Sequence, residues 1–245
     1  FHAPVFAGLS HAADSLAAIK KLCFDEGVIA LPELLDAVKD NWQDQEAIRQ
    51  LILTRAPAYG NDDDYADEIA SSIVERCVEK VRVHASRVTH SHLMFPVALG
   101  TFQHFVGVGA VTGPTPDGRR EYEPVSSNAS PSVGRAQNGQ TASLNSYCKL
   151  PLVDVPNGAP LDVAFDSRPS LLEQMEAYIE SFVEKRGLLL TISVNDCEKL
   201  KAARKDPEKY RDLKVRIGGF QSYFIDLPPA MQDWQIKKAE QYAGG

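Results

Sequence analysis

Four histidines, His84, His90, His92 and His104, fall close together, and imidazoles so placed could ligate a metal. They lack the HExxH spacing that sets two imidazoles on one helix face, so surface or hydrogen-bonded histidines are expected instead. Tyr59-Gly60-Asn61-Asp62-Asp63-Asp64 has the composition of a calcium loop but not the glycine and closing glutamate of an EF-hand. It reads as a helix start, with Asn61 or Asp62 as the cap and carboxylates at the positive end of the dipole. Ser91 and Ser143 lack nucleophile-elbow glycines, and Gly107-Val108-Gly109 lacks the third glycine and helix start of a phosphate loop. Cys23, Cys77, Cys148 and Cys197 lie far apart with no CxxC spacing, which implies reduced thiols, no zinc site and no disulfide framework. Gly218-Gly219, between Val215-Arg216-Ile217 and a second extended run, reads as a two-residue hairpin turn whose tip would face solvent.

These residues sit in a chain of 245 residues, 44% apolar, which is enough to bury a large core and argues against disorder. Acidic residues outnumber basic ones by 33 to 26, and no basic block could track a phosphate backbone, so nucleic acid and anionic membrane are poor partners. The apolar runs are too short to span a bilayer, and no secretory leader precedes Phe1, so the expectation is a soluble, cytoplasmic protein. The first ~90 residues read as short packed helices. Their apolar stripes are Leu16, Ile19 and Leu22/Cys23, then Leu34, Leu35, Val38 and Trp42, then Ile48, Leu51 and Ile52. Residues 93–111 suggest strands or buried extended segments, and 112–146 is too long for an ordinary connection, hence a functional loop or a linker. Ser170 and Glu173 form a capping box for a helix with the stripe Leu172, Met175, Ile179 and Phe182/Val183. A strand over 188–194 follows, then a helix capped by Asn195 or Asp196, strands either side of Gly218-Gly219, and a last helix after Pro228-Pro229.

The run Val215-Arg216-Ile217-Gly218-Gly219-Phe220, with Gln232 on the following helix, resembles the radical signature of the pyruvate formate-lyase-like glycyl radical enzymes. That signature is Arg, an aliphatic residue, a small residue, Gly and an aromatic, and the match puts the radical on Gly219. The resemblance runs along nearly the whole chain. It includes the segment from Ala13-Asp14-Ser15 to Leu22, the Tyr59-to-Asp64 segment and Thr115-Pro116-Asp117-Gly118-Arg119. Ser130-Pro131 with Gly134, Gly139 to Leu150, and the run from Asp206 to Leu213 are also similar to family segments. Gln140, Gln235 and Lys238 depart from the usual Pro, aliphatic and Arg.

What the resemblance implies is an α/β protein, the C-terminal part of a ten-stranded α/β barrel, with residues 1–200 in the barrel and 201–245 forming a glycine radical domain with a terminal helix. No bound cofactor is implied; the glycyl radical is installed on Gly219 after translation by a radical S-adenosylmethionine activating enzyme. Further implied partners are a small-molecule substrate, the remainder of the enzyme and a second copy in a homodimer. The implied activity is that of a lyase cleaving a carbon-carbon or carbon-heteroatom bond, of decarboxylase or dehydratase type. A fumarate-adding synthase and a spare-part subunit that repairs a damaged enzyme in trans are the alternatives. Arg76-Cys77-Val78-Glu79 imitates the family's thiyl cysteine, but Ile69, Ile73, Val74, Cys77 and Val81 make one helical stripe, which assigns Cys77 to a buried face. No other cysteine matches the family's cysteine loop, so the chain alone is expected to be inactive.

Overall fold

A computed structural model of the protein describes residues 2–88, 94–167, 169–217 and 219–243. Helix α1 (Leu9–Ala18) runs directly into a π-helical segment, Ile19–Asp25. Its buried face is small: Ala13, Ala17 and Ala18 are fully covered, as are Ala66 and Ala70 of α4 (Asp64–Val88), so the two helices pack closely. Leu16, expected to face inward, is exposed because the alanine row takes that face. Helices α2 (Leu31–Lys39), with Pro32 in its first turn, and α3 (Glu46–Arg55) close a cluster around Leu22, Leu34, Trp42 and Ile52. Trp42 is fully buried and satisfies its indole by donating to Arg119 O at 3.1 Å.

The cap of α4 is neither Asn61 nor Asp62. Asp63 Oδ1 accepts from Tyr65 N at 2.9 Å, while Asn61 turns away to the backbone of residues 135–138. In the 93–111 stretch, which read as extended, the described residues give a short strand β2 (Ala98–Leu99), parallel to β1 (Val5–Phe6), and a helix α5 (Phe105–Val111). Gly109 serves that helix by close approach: a Cβ there would lie 2.3 Å from Glu123 O. Leu93 lies outside the described residues.

After α6 (Gly139–Cys148), β3 (Pro160–Phe165) and β4 (Leu189–Val194) pair in parallel, from Pro160↔Leu189 to Phe165↔Val194, with α7 (Leu171–Glu184) as their crossover. The inward line of α7 is Leu171, Met175, Tyr178 and Phe182, whereas Leu172, Ile179 and Val183 are exposed. The expected stripe is therefore turned by about one residue, since the two aromatic rings take the core-facing positions. Ser170 holds the N-cap position without a side-chain bond to the helix. Helix α8 (Cys197–Lys205) is capped by Asp196, which accepts from Lys199 N at 2.9 Å, and α9 (Pro229–Ala243) closes the chain.

Strands β5 (Lys214–Ile217) and β6 (Phe220–Tyr223) form an antiparallel hairpin. The α/β expectation holds, but among the described residues the strands pair only in twos, which falls short of a ten-stranded barrel. Among the described residues no helix is long and apolar enough to cross a membrane.

Candidate functional site

Ile217 stands opposite Phe220, so positions 218 and 219 alone link β5 to β6, as the hairpin reading expects. Gly219 is exposed at this tip, and a Cβ built on it would meet nothing within 4 Å. The first strand of the hairpin is anchored along one face. Val215 and Ile217 are each 2% exposed and pack with Phe105, Leu200, Phe224, Leu227 and Trp234. Phe220, beside the tip, and Tyr223, at the far end of β6, are instead exposed.

Helix α9 turns a row of polar side chains, spaced by three, toward the hairpin, the turn that follows it and the buried segments beside them. Gln232 Nε2 donates to Phe224 O and Leu227 O, both at 3.0 Å, and to Ile225 O at 3.3 Å. Gln235 Nε2 donates to Arg216 O at 3.0 Å. Lys238 is buried, with its Nζ 5.3 Å from the Trp234 ring centroid; burial pushes its pKa down while the Asp162 charge pulls it the other way. Gln241 accepts from Gly134 N. Gln232 belongs to the family signature, but the backbone bond of Gln235 and the burial of Lys238 on the same line were not read from the sequence. Their i, i+3, i+6 spacing was the signal available, because three large polar groups on one helical line rarely face a core without backbone partners.

A second polar layer joins the strands to the long 112–138 segment, whose residues 125–132 are all buried. Asp162 on β3 accepts from Ser127 Oγ at 2.5 Å and Asn128 Nδ2 at 2.7 Å, and its own N–H donates to Ser130 Oγ at 2.8 Å. Asn128 Oδ1 in turn accepts from Thr101 N at 3.1 Å and Phe102 N at 3.2 Å, just beyond β2. That segment is thus an ordered support, not a linker. The Thr115-to-Arg119 turn is similarly tied down. His11 Nδ1 lies 2.5 Å from Asp117 Oδ2, and Arg119 spends its guanidinium on the carbonyls of Thr112, Gly113, Arg120 and Glu123. Burial works to raise the Asp117 pKa, but the bonds from His11 and Thr115 outweigh it and hold the carboxyl below its ordinary value. A cavity of about 540 Å³ opens beside this turn, lined by His11, Arg135, Tyr122, Trp234 and Lys237 among others; Gly219 does not line it.

Other sequence candidates separate from the hairpin. His84 and His104 are exposed, His90 and His92 lie outside the described residues, and among the described residues no three His, Cys, Asp or Glu side chains are placed to hold a metal ion. The acidic run holds an ammonium: Lys149 Nζ lies 2.8 Å from Asp62, 2.7 Å from Asp64 and 2.9 Å from Asp67. Cys77 is half-buried at the edge of the α4 core face, which is formed by Ala66, Ala70, Val74 and Val78, so the sequence placed it too deep. Cys197 belongs to the apolar cluster that buries Val215 and Ile217. Burial pushes up the thiol pKa of Cys23, Cys77, Cys148 and Cys197 alike, which disfavours a resident thiolate.

The pyruvate formate lyase-like family model matches residues 1–99, and the glycine radical model matches residues 125–225. The chain belongs to the glycyl radical enzyme family and corresponds to its C-terminal portion. It is 32% identical over 251 residues to (2S)-3-sulfopropanediol dehydratase of Klebsiella oxytoca, covering 97% of this chain and 30% of that protein. With isethionate sulfite-lyase of Bilophila wadsworthia it shares 34% identity over 234 residues, covering 93% of this chain and 28% of the relative. The glycerol-bound B12-independent glycerol dehydratase of Clostridium butyricum superposes with a TM-score of 0.87 at 32% identity, over 96% of this chain and 30% of that one. Hydroxyproline dehydratase of Clostridioides difficile gives 0.88 at 31% identity, over 99% and 31%. The chain therefore spans about 30% of the length of these relatives.

Proposed function

We propose that Gly219 carries the radical of a glycyl radical lyase, and that this chain supplies the radical-bearing C-terminal part of its catalytic barrel. The observation that carries the reading is the hairpin: Gly219 stands at an open tip while Val215 and Ile217 bury the inner face of the strand that leads into it. A radical on an α-carbon is stabilised by delocalisation into the amide nitrogen and the carbonyl, which favours a flattened centre that a side chain would crowd. Glycine alone offers that centre and lets a partner group approach the backbone closely.

In this reading a radical S-adenosylmethionine activating enzyme removes one α-hydrogen of Gly219. The glycyl centre then takes the hydrogen of a cysteine thiol, forming a C–H bond and leaving a thiyl radical, which in turn abstracts hydrogen from substrate. That cysteine is assigned to the remainder of the enzyme, because none of the four here sits at the hairpin tip in a reactive setting. The parallel pairs β1–β2 and β3–β4 are assigned to the wall of a ten-stranded barrel, the hairpin entering its centre, with residues 201–245 as the radical domain. The reaction class is elimination of a heteroatom leaving group from a small organic molecule, supported by relatives named as dehydratases and sulfite-lyases. A homodimer completes the proposal.

The test is anaerobic activation of the full-length enzyme followed by electron paramagnetic resonance. The wild type should give a glycyl doublet that Gly219→Ala abolishes. A doublet that survives the substitution refutes the assignment.

A further inference from the structure

Gln235 is 1% exposed, and its Nε2 donates to Arg216 O at 3.0 Å. We propose that Gln235 is a positioning residue for the radical site, fixing the approach of the Gly219 hairpin through this bond from α9 to β5. The inference rests on the assignment of the radical to Gly219.

Three observations carry it. In a two-residue hairpin the closing pair, Ile217 and Phe220, is the one that exchanges ladder hydrogen bonds. The next pair, Arg216 and Gln221, therefore turns its peptide groups outward, and the Arg216 carbonyl needs a partner from outside the hairpin. Gln235 is that partner. Second, the turn that follows β6 is held by Gln232, one helical turn earlier on α9, through the carbonyls of Phe224, Ile225 and Leu227. One face of α9 thus holds β5 directly at Arg216 and β6 through the turn at its far end, and the tip inherits its orientation from the helix. Third, the apolar anchors Val215 and Ile217 are non-directional; they keep the hairpin attached without fixing its angle. Losing the Gln235 bond should therefore leave a folded hairpin that pivots about the Gln232 clamp.

The proposal separates from a general role in stability by what happens to each radical once formed. In the full-length enzyme, Gln235→Met keeps side-chain length and removes the donor, and Gln235→Asn keeps polarity but falls short of Arg216 O. After anaerobic activation, 2-mercaptoethanol is added and loss of the doublet is followed per spin. Each thiol that quenches gives its hydrogen atom to the glycine α-carbon and leaves as a thiyl radical. A pivoting hairpin exposes the radical more often, so both variants should lose it about fivefold faster or more. Loss per spin within about twofold of wild type, even with fewer spins loaded, overturns the proposal. If neither variant acquires a radical, amide hydrogen exchange of residues 219–221 in the unactivated enzyme decides: faster exchange supports it, and unchanged exchange overturns it. A doublet retained in Gly219→Ala would instead remove the reading beneath the proposal. A doublet lost there, with unaltered quenching in the Gln235 variants, refutes the role of Gln235 alone.

Discussion

Tyr59 N donates to Asp14 Oδ1 at 2.7 Å, joining the start of the 59–64 turn to the buried face of α1. Asp14 is fully buried, and desolvation raises its pKa from 3.8 to about 7 despite the nearby Arg135 charge. The folded state therefore keeps a proton that the unfolded chain has released. Between these two values the folded state binds more protons, so stability falls as pH rises, by up to about 4 kcal/mol. Asn at this position keeps the acceptor for Tyr59 N and cannot ionise. Urea unfolding at pH 5 and pH 8 should thus show a smaller loss in Asp14→Asn than in the wild type. Asp117 does not confuse the comparison, because with a lowered pKa its stabilisation is constant above 3.8 and is lost only as pH falls below that value.

Lys149 is the ammonium that Asp62, Asp64 and Asp67 share, and Asp67 is fully buried. Burial raises the Asp67 pKa, with Lys149 and Ser146 opposing it. Removing the lysine strands a buried carboxylate, so Lys149→Met should cost about 3 kcal/mol near neutral pH, read from the urea midpoint. Calcium added to the variant should restore none of this, since the acidic run is shaped around the lysine.

The hairpin, the Asp196 cap and the proline-started helix at Pro229 were legible because each depends on local backbone chemistry: paired glycines, an N-cap acceptor, a fixed φ. Which face of a helix is buried was less legible. The stripe reading favours large residues, but α1 meets α4 through Ala13, Ala17, Ala66 and Ala70, and this pushes Leu16 outward. The α5 helix was missed because glycine lowers helix propensity, whereas Gly107 and Gly109 stand in a helix, with Gly109 pressed against the Glu123–Pro124 backbone. At the site, the radical signature was visible in sequence. Its supports were not, because Gln235 and Lys238 draw their roles from Arg216 and Asp162, which are distant in the chain.

Gly109 gives that point a test. A Cβ would lie 2.3 Å from Glu123 O and 2.7 Å from the Pro124 Cα, both backbone atoms that cannot rotate away. Gly109→Ala gains helix propensity yet should destabilise by about 2 to 3 kcal/mol, because overpacking against main chain outweighs it. Gly107→Ala, with nothing within 4 Å of the added atom, is the control and should be neutral or slightly stabilising. Equal effects at both positions, measured by thermal denaturation, would contradict the close-approach account.

Cys77 tests the assignment of the thiyl residue to another part of the enzyme. It lies on α4 beside the cluster that contains Val74, Val78 and Tyr147, whereas the first strand of the hairpin packs in a separate cluster with Trp234 and Leu200. Hydrogen transfer requires the sulfur to reach near-contact with both the glycine α-carbon and the substrate carbon, and a helix packed in a different core holds its thiol away from that position. The side chain is half-buried, so a hydroxyl there keeps access to water and Cys77→Ser should cost no more than about 1 kcal/mol. In the full-length enzyme the variant should fold, acquire the doublet and convert the same substrate as the wild type. Folded, radical-bearing protein that has lost all turnover would identify Cys77 as the hydrogen-abstracting residue, and the chain as closer to a complete catalyst than its hairpin alone suggests.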